Sequence, residues 1–331
     1  MQNNMIRKKI KNKTGILLSI VVFTLICLNG CGHDAVKNTN HINDTPTPGS
    51  ALSVVRGTRD NTPVCLSPAT GTTAVYQNDA AVIDASNSPQ GYIIVRYTGK
   101  NDKVKLQIMG QDQVTYTYNL KTGNGGVNEV FPLSAGDGQY LINVYENISA
   151  NQYATAFSQA ITVTMADQFL PFLYPNQYVT FNASCQAVAK ASELAYSADS
   201  DLDVVTNVYD YIISNITYDY DEAENVKSGY IPNVDEVLHT RKGICLDYAA
   251  LMTAMLRSQR IPTRMEVGYA GTAYHAWIST YITDIGWVNG IIQFDGKDWS
   301  LMDPTFASTT SEKELKSFLN NSSNYRLKYI Y

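Results

Sequence analysis

Two different spacings of apolar residues divide the chain. From Thr62 to about Thr164 they recur near every second position in short runs, "GYIIVRYTG", "KVKLQIMG", "VTYTYNL", "GQYLINVYEN" and "SQAITVTM", all rich in β-branched and aromatic side chains. Turn formers separate them, among them Gly99-Lys100-Asn101-Asp102 and Gly136-Asp137-Gly138. Short strands at regular intervals with no helix-period segment predict an antiparallel β-sandwich of immunoglobulin-like size over residues 62–166. No cluster of His, Cys or acidic residues falls there, so a binding or spacer module is the reading for this part.

After "FLPFLYPNQYVTFN" the spacing becomes helical. "ASCQAVAKASELAYSA" predicts a helix within a connecting segment, 167–199. "DSDLDVVTNVYDYIISNI" predicts a longer one, with Val205, Val208, Tyr209, Ile212, Ile213 and Ile216 at helical spacing behind an acidic, cap-rich start. Asn233 and Glu236 of "NVDEVLHT" hold capping-box positions. From Cys245 to Leu256 the chain is apolar on nearly every side, as in a helix buried within a domain. Arg257, Ser258 and Arg260 supply polar residues where that helix should end, and Pro262 forbids its continuation. Strands follow in "TRMEVGYAG", "AYHAWISTYI" and a hairpin of "GIIQF" and "DWSLMDPTF" around Asp295-Gly296. Ser311-Glu312-Lys313-Glu314 signals a last helix and "YRLKYIY" a last strand. Helices followed by antiparallel strands give residues 200–331 an α+β order.

Ahead of both regions stands a stretch with a different logic. "MIRKKIKNK" is basic, "GILLSIVVFTLICL" is apolar yet short for a membrane span, and "LNGC" closes with small residues. The ending Leu28-Asn29-Gly30-Cys31 resembles the bacterial lipobox, which implies a signal peptide over 1–30, cleavage before Cys31 and acylation of its thiol. The expected location is extracytoplasmic, lipid-anchored to the bacterial cell membrane. Residues 31–61 are polar with little periodic apolar signal and predict a flexible tether.

Composition changes this picture little. The chain of 331 residues is 44% apolar and 17% charged, as a globular protein is, and its net charge of -5 gives no sign of nucleic-acid binding. Beyond Cys27 in the signal and Cys31, the cysteines are Cys65, Cys185 and Cys245. An odd number in an oxidising compartment suggests a Cys65–Cys185 disulfide with Cys245 free; two unpaired structural thiols fit equally.

Cys245 carries the candidate chemistry. The start of a helix is its electropositive end and favours an anionic nucleophile, although by spacing alone the residue also reads as an inert buried thiol. His33 and His41 lie in the tether, so a base for Cys245 must be His239 or His275. Strand alternation in "AYHAWIST" sets His275 with Ala273 and Trp277 on one inward face, a place that also suits a core histidine. Asp303 in "LMDPTF" ends a further strand, and an Asp before Pro is often a turn residue.

Together "KGICLDYAALMTAMLRSQRIPTRMEVGY", "HAW" and "WSLMDPTF" resemble the transglutaminase-like superfamily, cysteine enzymes with a papain-like core. The resemblance covers about residues 200–310. It implies Cys245 as nucleophile, His275 as general base and then acid, and Asp303 as the group that fixes the imidazole tautomer. It implies attack on an amide or peptide carbonyl through a thioester, with no cofactor. The sequence departs from the large calcium-dependent animal transglutaminases, whose active cysteine lies in a Gln-Cys-Trp setting with an upstream tryptophan at the oxyanion. Here the context is Ile244-Cys245-Leu246 and Trp277, Trp287 and Trp299 all lie downstream. The oxyanion donors would then be the Cys245 backbone N–H and a tyrosine of "ITYDYDEAEN", Tyr218 first and Tyr220 next. Asp219, Asp221, Glu222 and Glu224 lack the glycine and spacing of a calcium loop and predict a solvated acidic loop rather than a metal site. The expected function is a surface-anchored peptidase or amidase, acting on extracellular protein or cell-wall peptide more readily than cross-linking it. The alternative is a binding or scaffolding lipoprotein that uses the same domain without catalysis.

Overall fold

The computed structural model describes residues 55–331 except 124, 284, 290–291, 295–298 and 302–324. Cys31, the signal and most of the tether, Asp303 and the helix predicted at 311–314 lie outside the described residues.

Eight strands come first: β1 (Val75–Gln77), β2 (Ala81–Asp84), β3 (Tyr92–Tyr97), β4 (Val104–Met109), β5 (Thr115–Leu120), β6 (Glu129–Pro132), β7 (Gly138–Ser149) and β8 (Gln152–Val163). They form two antiparallel sheets, ordered β1-β2-β3-β6 and β5-β4-β7-β8. Alternation explains which faces are covered. Val104, Leu106 and Ile108 of β4 and Tyr116, Tyr118 and Leu120 of β5 are buried, while Thr115, Thr117 and Asn119 face solvent. The buried faces of both sheets share one apolar cluster, in which the Tyr118 ring lies 4.8 Å from that of Phe131. β1, β2 and β6 are absent from the sequence reading because three or four residues carry too little alternation to register. β8 begins six residues ahead of the predicted run: its first half is exposed or half-exposed, and pairing with β7, not side-chain burial, makes it a strand.

The remainder runs α1 (Gln186–Ala195), α2 (Asp201–Asn215), β9 (Thr217–Tyr218), α3 (Tyr220–Asn225), α4 (Val234–Thr240), β10 (Lys242–Gly243) and α5 (Cys245–Ser258). Then come β11 (Thr263–Ala270), β12 (Ala273–Ile282), β13 (Gly286–Asn289), β14 (Ile292–Phe294), β15 (Trp299–Leu301) and β16 (Tyr325–Ile330). Four of these make an antiparallel sheet ordered β13-β12-β11-β16, and β14 and β15 pair as the expected hairpin. Ser200 caps α2 by accepting from the Asp203 N–H (3.2 Å), and Asp203 accepts in return from the Ser200 N–H (2.9 Å). Asn233 caps α4 through the Glu236 N–H at 3.3 Å. α5 is buried from Asp247 through Ser258. Its apolar residues share one cluster with Ala187, Val188, Ala191 and Ala195 of α1 and with Val204, Val205, Val208 and Ile212 of α2. α1 therefore belongs to the helical layer around α5 rather than to a mere connection.

Two local expectations change. The acidic run after Tyr218 is not a loop but α3, whose N-cap Asp219 accepts from the Glu222 N–H at 3.2 Å; Asp221 and Glu222 occupy the first turn, where the helix dipole favours acids. The tether does not stay free to residue 61, since Arg59 pairs with Asp201 (2.7 Å) and donates to the Gln259 carbonyl (2.6 Å). Arg257 stands in the last turn of α5, as expected of the helix end. It is fully buried and donates to the carbonyls of Thr263 (2.9 Å), Tyr174 (2.6 Å) and Tyr331 (2.8 Å).

The strand region also reaches the α+β sheet through rings. Tyr331 meets Tyr116 and Tyr118 of β5 at 5.7 and 6.0 Å, and Tyr178 at 4.7 Å. No helix among the described residues is long and apolar enough to cross a membrane.

Candidate active site

Cys245 is the first residue of α5, after Ile244 in an extended conformation (φ -92°, ψ 178°). The turn that delivers it is held by the parallel pairing of β10 with β9, which sets Gly243 beside Tyr218. From the other side comes β12, whose register on β11 matches Val267 with Ala276 and Gly268 with His275. These segments enclose a cavity of about 440 Å³ lined by Cys245, His275, Tyr218, Tyr230, Tyr274 and Tyr331, among others. The thiol at a helix start, the strand histidine and the upstream tyrosine thus share one space.

Alternation in β12 is less one-sided than the sequence suggests. His275 and Trp277 are buried, but so are Ala276 and Ile278 on the opposite face, because β12 is an inner strand covered on both sides. The His275 and Trp277 rings lie nearly parallel, with centroids 6.4 Å apart and an interplanar angle of 26°. Trp277 Nε1 donates to Glu266 Oε2 at 2.7 Å, directly across the register. Burial pushes the Glu266 carboxyl up from its ordinary value, with the Trp277 bond opposing. His239 is exposed in the last turn of α4 and does not line the cavity.

Several lining residues carry no sequence signal of their own. Tyr274 is half-exposed, and burial pushes its hydroxyl up to about 12, with the phenols of Tyr329, Tyr178 and Tyr269 and the Cys245 thiol adding to the effect. It is therefore a neutral donor at ordinary pH. Tyr178 and Tyr331 come from the connecting segment and the chain's last position, and only the fold brings them here.

Cys65 and Cys185 are free thiols, not a disulfide. Both are half-buried against the apolar cluster, and burial raises each thiol; the two are near enough for Cys185 to raise Cys65 further. The second of the two cysteine readings is the one observed.

Asp247, a lone acid in the apolar helix, is fully buried two residues after the thiol. Its Oδ2 accepts from the Ile244 N–H at 2.9 Å and its Oδ1 from the Tyr230 hydroxyl at 2.8 Å. Burial pushes the carboxyl up to about 6, with both bonds opposing and the charges of Glu222 and Asp219 adding to the rise. A carboxyl raised in the folded chain contributes its full stability below the unfolded value, about 3.9, and loses it as pH climbs through the folded one. Relative to Asp247→Asn, the wild type should therefore lose stability between about pH 4 and about pH 7 in urea unfolding. A difference between the two proteins that stays flat over that range would contradict the expectation.

The profile of the transglutaminase-like superfamily matches residues 188–290. Residues 188–290 are similar to a transglutaminase-like core. The match runs from α1 through β13 and takes in Cys245 and His275. A UPF0252 protein of Methanocaldococcus jannaschii is 32% identical over 90 residues, 24% of this chain and 26% of its own length. The uncharacterized protein YebA of Bacillus subtilis is 24% identical over 192 residues, 50% of this chain and 25% of its own. This chain thus spans about a quarter of the length of each of these curated relatives. A solved structure of a proposed cysteine protease from Cytophaga hutchinsonii is 19% identical with a TM-score of 0.31, over 70% of this chain and 79% of that one.

Proposed function

We propose that the transglutaminase-like core is a cysteine hydrolase of amide or peptide bonds. The observation that supports this most is the shared cavity of Cys245, at the start of α5, and His275. In the proposed cycle His275 takes the Cys245 proton and the sulfur attacks the carbonyl carbon. The resulting oxyanion is held by the Cys245 N–H, which helix geometry leaves without an intrahelical acceptor, and by the Tyr218 hydroxyl. The imidazolium protonates the departing amine as the C–N bond breaks, leaving a thioester. Water, deprotonated by His275, then releases the acid and restores the thiol. Asp303 is the proposed partner that orients the imidazole. Water is the simplest acyl acceptor because it needs no second binding site, so hydrolysis is favoured over cross-linking.

The wider setting belongs to the same proposal. Acylation of Cys31 would anchor the protein to the outer side of a bacterial membrane, with the two β-sheets as an immunoglobulin-like module. Extracellular protein or cell-wall peptide is then the substrate within reach.

The test is the products released from cell-wall and surface-protein fractions. Wild type and His239→Ala should release the same products, because His239 lies outside the cavity. His275→Ala should reduce release by at least about 10²-fold, as expected for loss of a general base. A dead His239→Ala or an active His275→Ala would reject the assignment.

A further inference from the structure

Asp247 sits where three segments of the cavity wall converge. Its Oδ2 fixes the Ile244 N–H, the last backbone donor before the thiol, and its Oδ1 receives the Tyr230 hydroxyl from the 226–230 wall. On its third side is Gly243, where an added Cβ would stand 2.6 Å from Asp247 Cβ and 3.2 Å from its carboxyl carbon, so no side chain fits between the carboxylate and the turn. Gly243 in turn pairs with Tyr218. An ordinary helix-capping acid would need only the Ile244 bond. The Tyr230 bond is additional, and it joins the cavity wall to the start of the nucleophile helix.

We infer that Asp247 and Tyr230 form a brace that positions Cys245 against His275, with Asp247 acting through the Ile244–Cys245 turn and Tyr230 tying the 226–230 wall to it. Neither residue touches the reacting atoms in this role. Both are positioning residues, and the brace holds the 1 Å-scale alignment that a thiolate–imidazolium pair requires. The charged groups that bear on Asp247 are Glu222 of α3 and Asp219 at the end of β9, the latter paired with Lys242 at 3.1 Å. The inference rests on the reading of Cys245 and His275 as a reacting pair.

The test is iodoacetamide alkylation of Cys245 in the full chain, followed by peptide mapping at pH 6 and pH 9.5. At the lower pH a thiol reacts quickly only when a partner keeps it ionised; at the higher pH most exposed thiols react. The ratio of the two rates therefore reports pairing and cancels simple access. Tyr230→Phe keeps the ring of the wall and removes only the hydroxyl, and Asp247→Asn removes the acceptor. Both should lower the pH 6 to pH 9.5 ratio about tenfold relative to wild type, with pH 9.5 rates agreeing within about twofold. Equal ratios in wild type and Tyr230→Phe overturn the brace, whatever Asp247→Asn does to folding. Failure of the underlying reading looks different: the wild-type ratio would then itself be no higher than those of Cys65 and Cys185.

Discussion

Replacing Cys245 by Ala should lower kcat/KM for amide hydrolysis by roughly 10⁴-fold or more, since the nucleophile and base of such a site act as one unit and removal of either collapses covalent catalysis. Cys245→Ser should fare little better: a serine hydroxyl is a far weaker acid than a thiol, and His275 is the one imidazole among the described residues that line the cavity. Neither change should disturb the fold. Cys245 is half-exposed at the end of its helix, and its side chain is not among the buried residues that hold α5. Unfolding free energies within about 1 kcal/mol of wild type are expected for both variants. An inactive variant that is also unfolded would leave the loss without a chemical meaning, so the two measurements belong together.

The largest effect on stability is expected at Arg257. Burial pulls its guanidinium down to about 9, still charged at neutral pH, and three backbone carbonyls, two of them from distant parts of the chain, compensate for the lost water. Arg257→Met keeps much of the volume but leaves the carbonyls of Thr263 and Tyr174 without this donor, while the Tyr331 carbonyl still accepts from the Met265 N–H at 3.0 Å. At about 1–3 kcal/mol for each of the two buried groups left unsatisfied, the loss should reach about 2–6 kcal/mol in urea unfolding. Arg260 supplies the contrast three residues on. It pairs with Asp60 at 2.7 Å on the surface, and Arg260→Ala should cost less than about 1 kcal/mol. A loss below about 1 kcal/mol at Arg257 would mean that water or rearranged backbone satisfies those carbonyls instead.

Arg257 also shows where reading the sequence ends. Its position after an apolar run and before Pro262 marks a helix terminus correctly, and α5 does stop at Ser258. What the local pattern cannot reveal is that carbonyls 83 and 74 residues away close over it. The same limit separates the legible part of the site from the rest. Cys245 announces itself at a break between polar turn and apolar helix, and His275 lies in a strand whose bounds match the pattern. Tyr178 and Tyr331 carry no such mark: Tyr331 follows β16, which returns to pair with β11, and the Tyr178 ring packs against it at 4.7 Å. Asp247 is absent from the sequence reading, although it is the one acid in an apolar helix: an acid there must be exposed or held, and it is held. The acidic run forms α3 instead of the expected loop for a different reason. Four acids in six residues suggest solvent, yet acids in a first turn behind an Asp cap are favourable helix starts.

In the proposed cycle Cys245 forms a thioester with the substrate's acyl group. Acid quenching of the enzyme during turnover, then tryptic digestion and mass spectrometry, should trap that intermediate. Cleavage after Lys242 and Arg257 isolates the peptide 243–257, "GICLDYAALMTAMLR", with Cys245 as its only cysteine. The expected result is an acyl adduct on that peptide, removed by hydroxylamine and absent from the corresponding Cys245→Ala peptide. Continued product release with peptide 243–257 unmodified, and undiminished in Cys245→Ala, would contradict it.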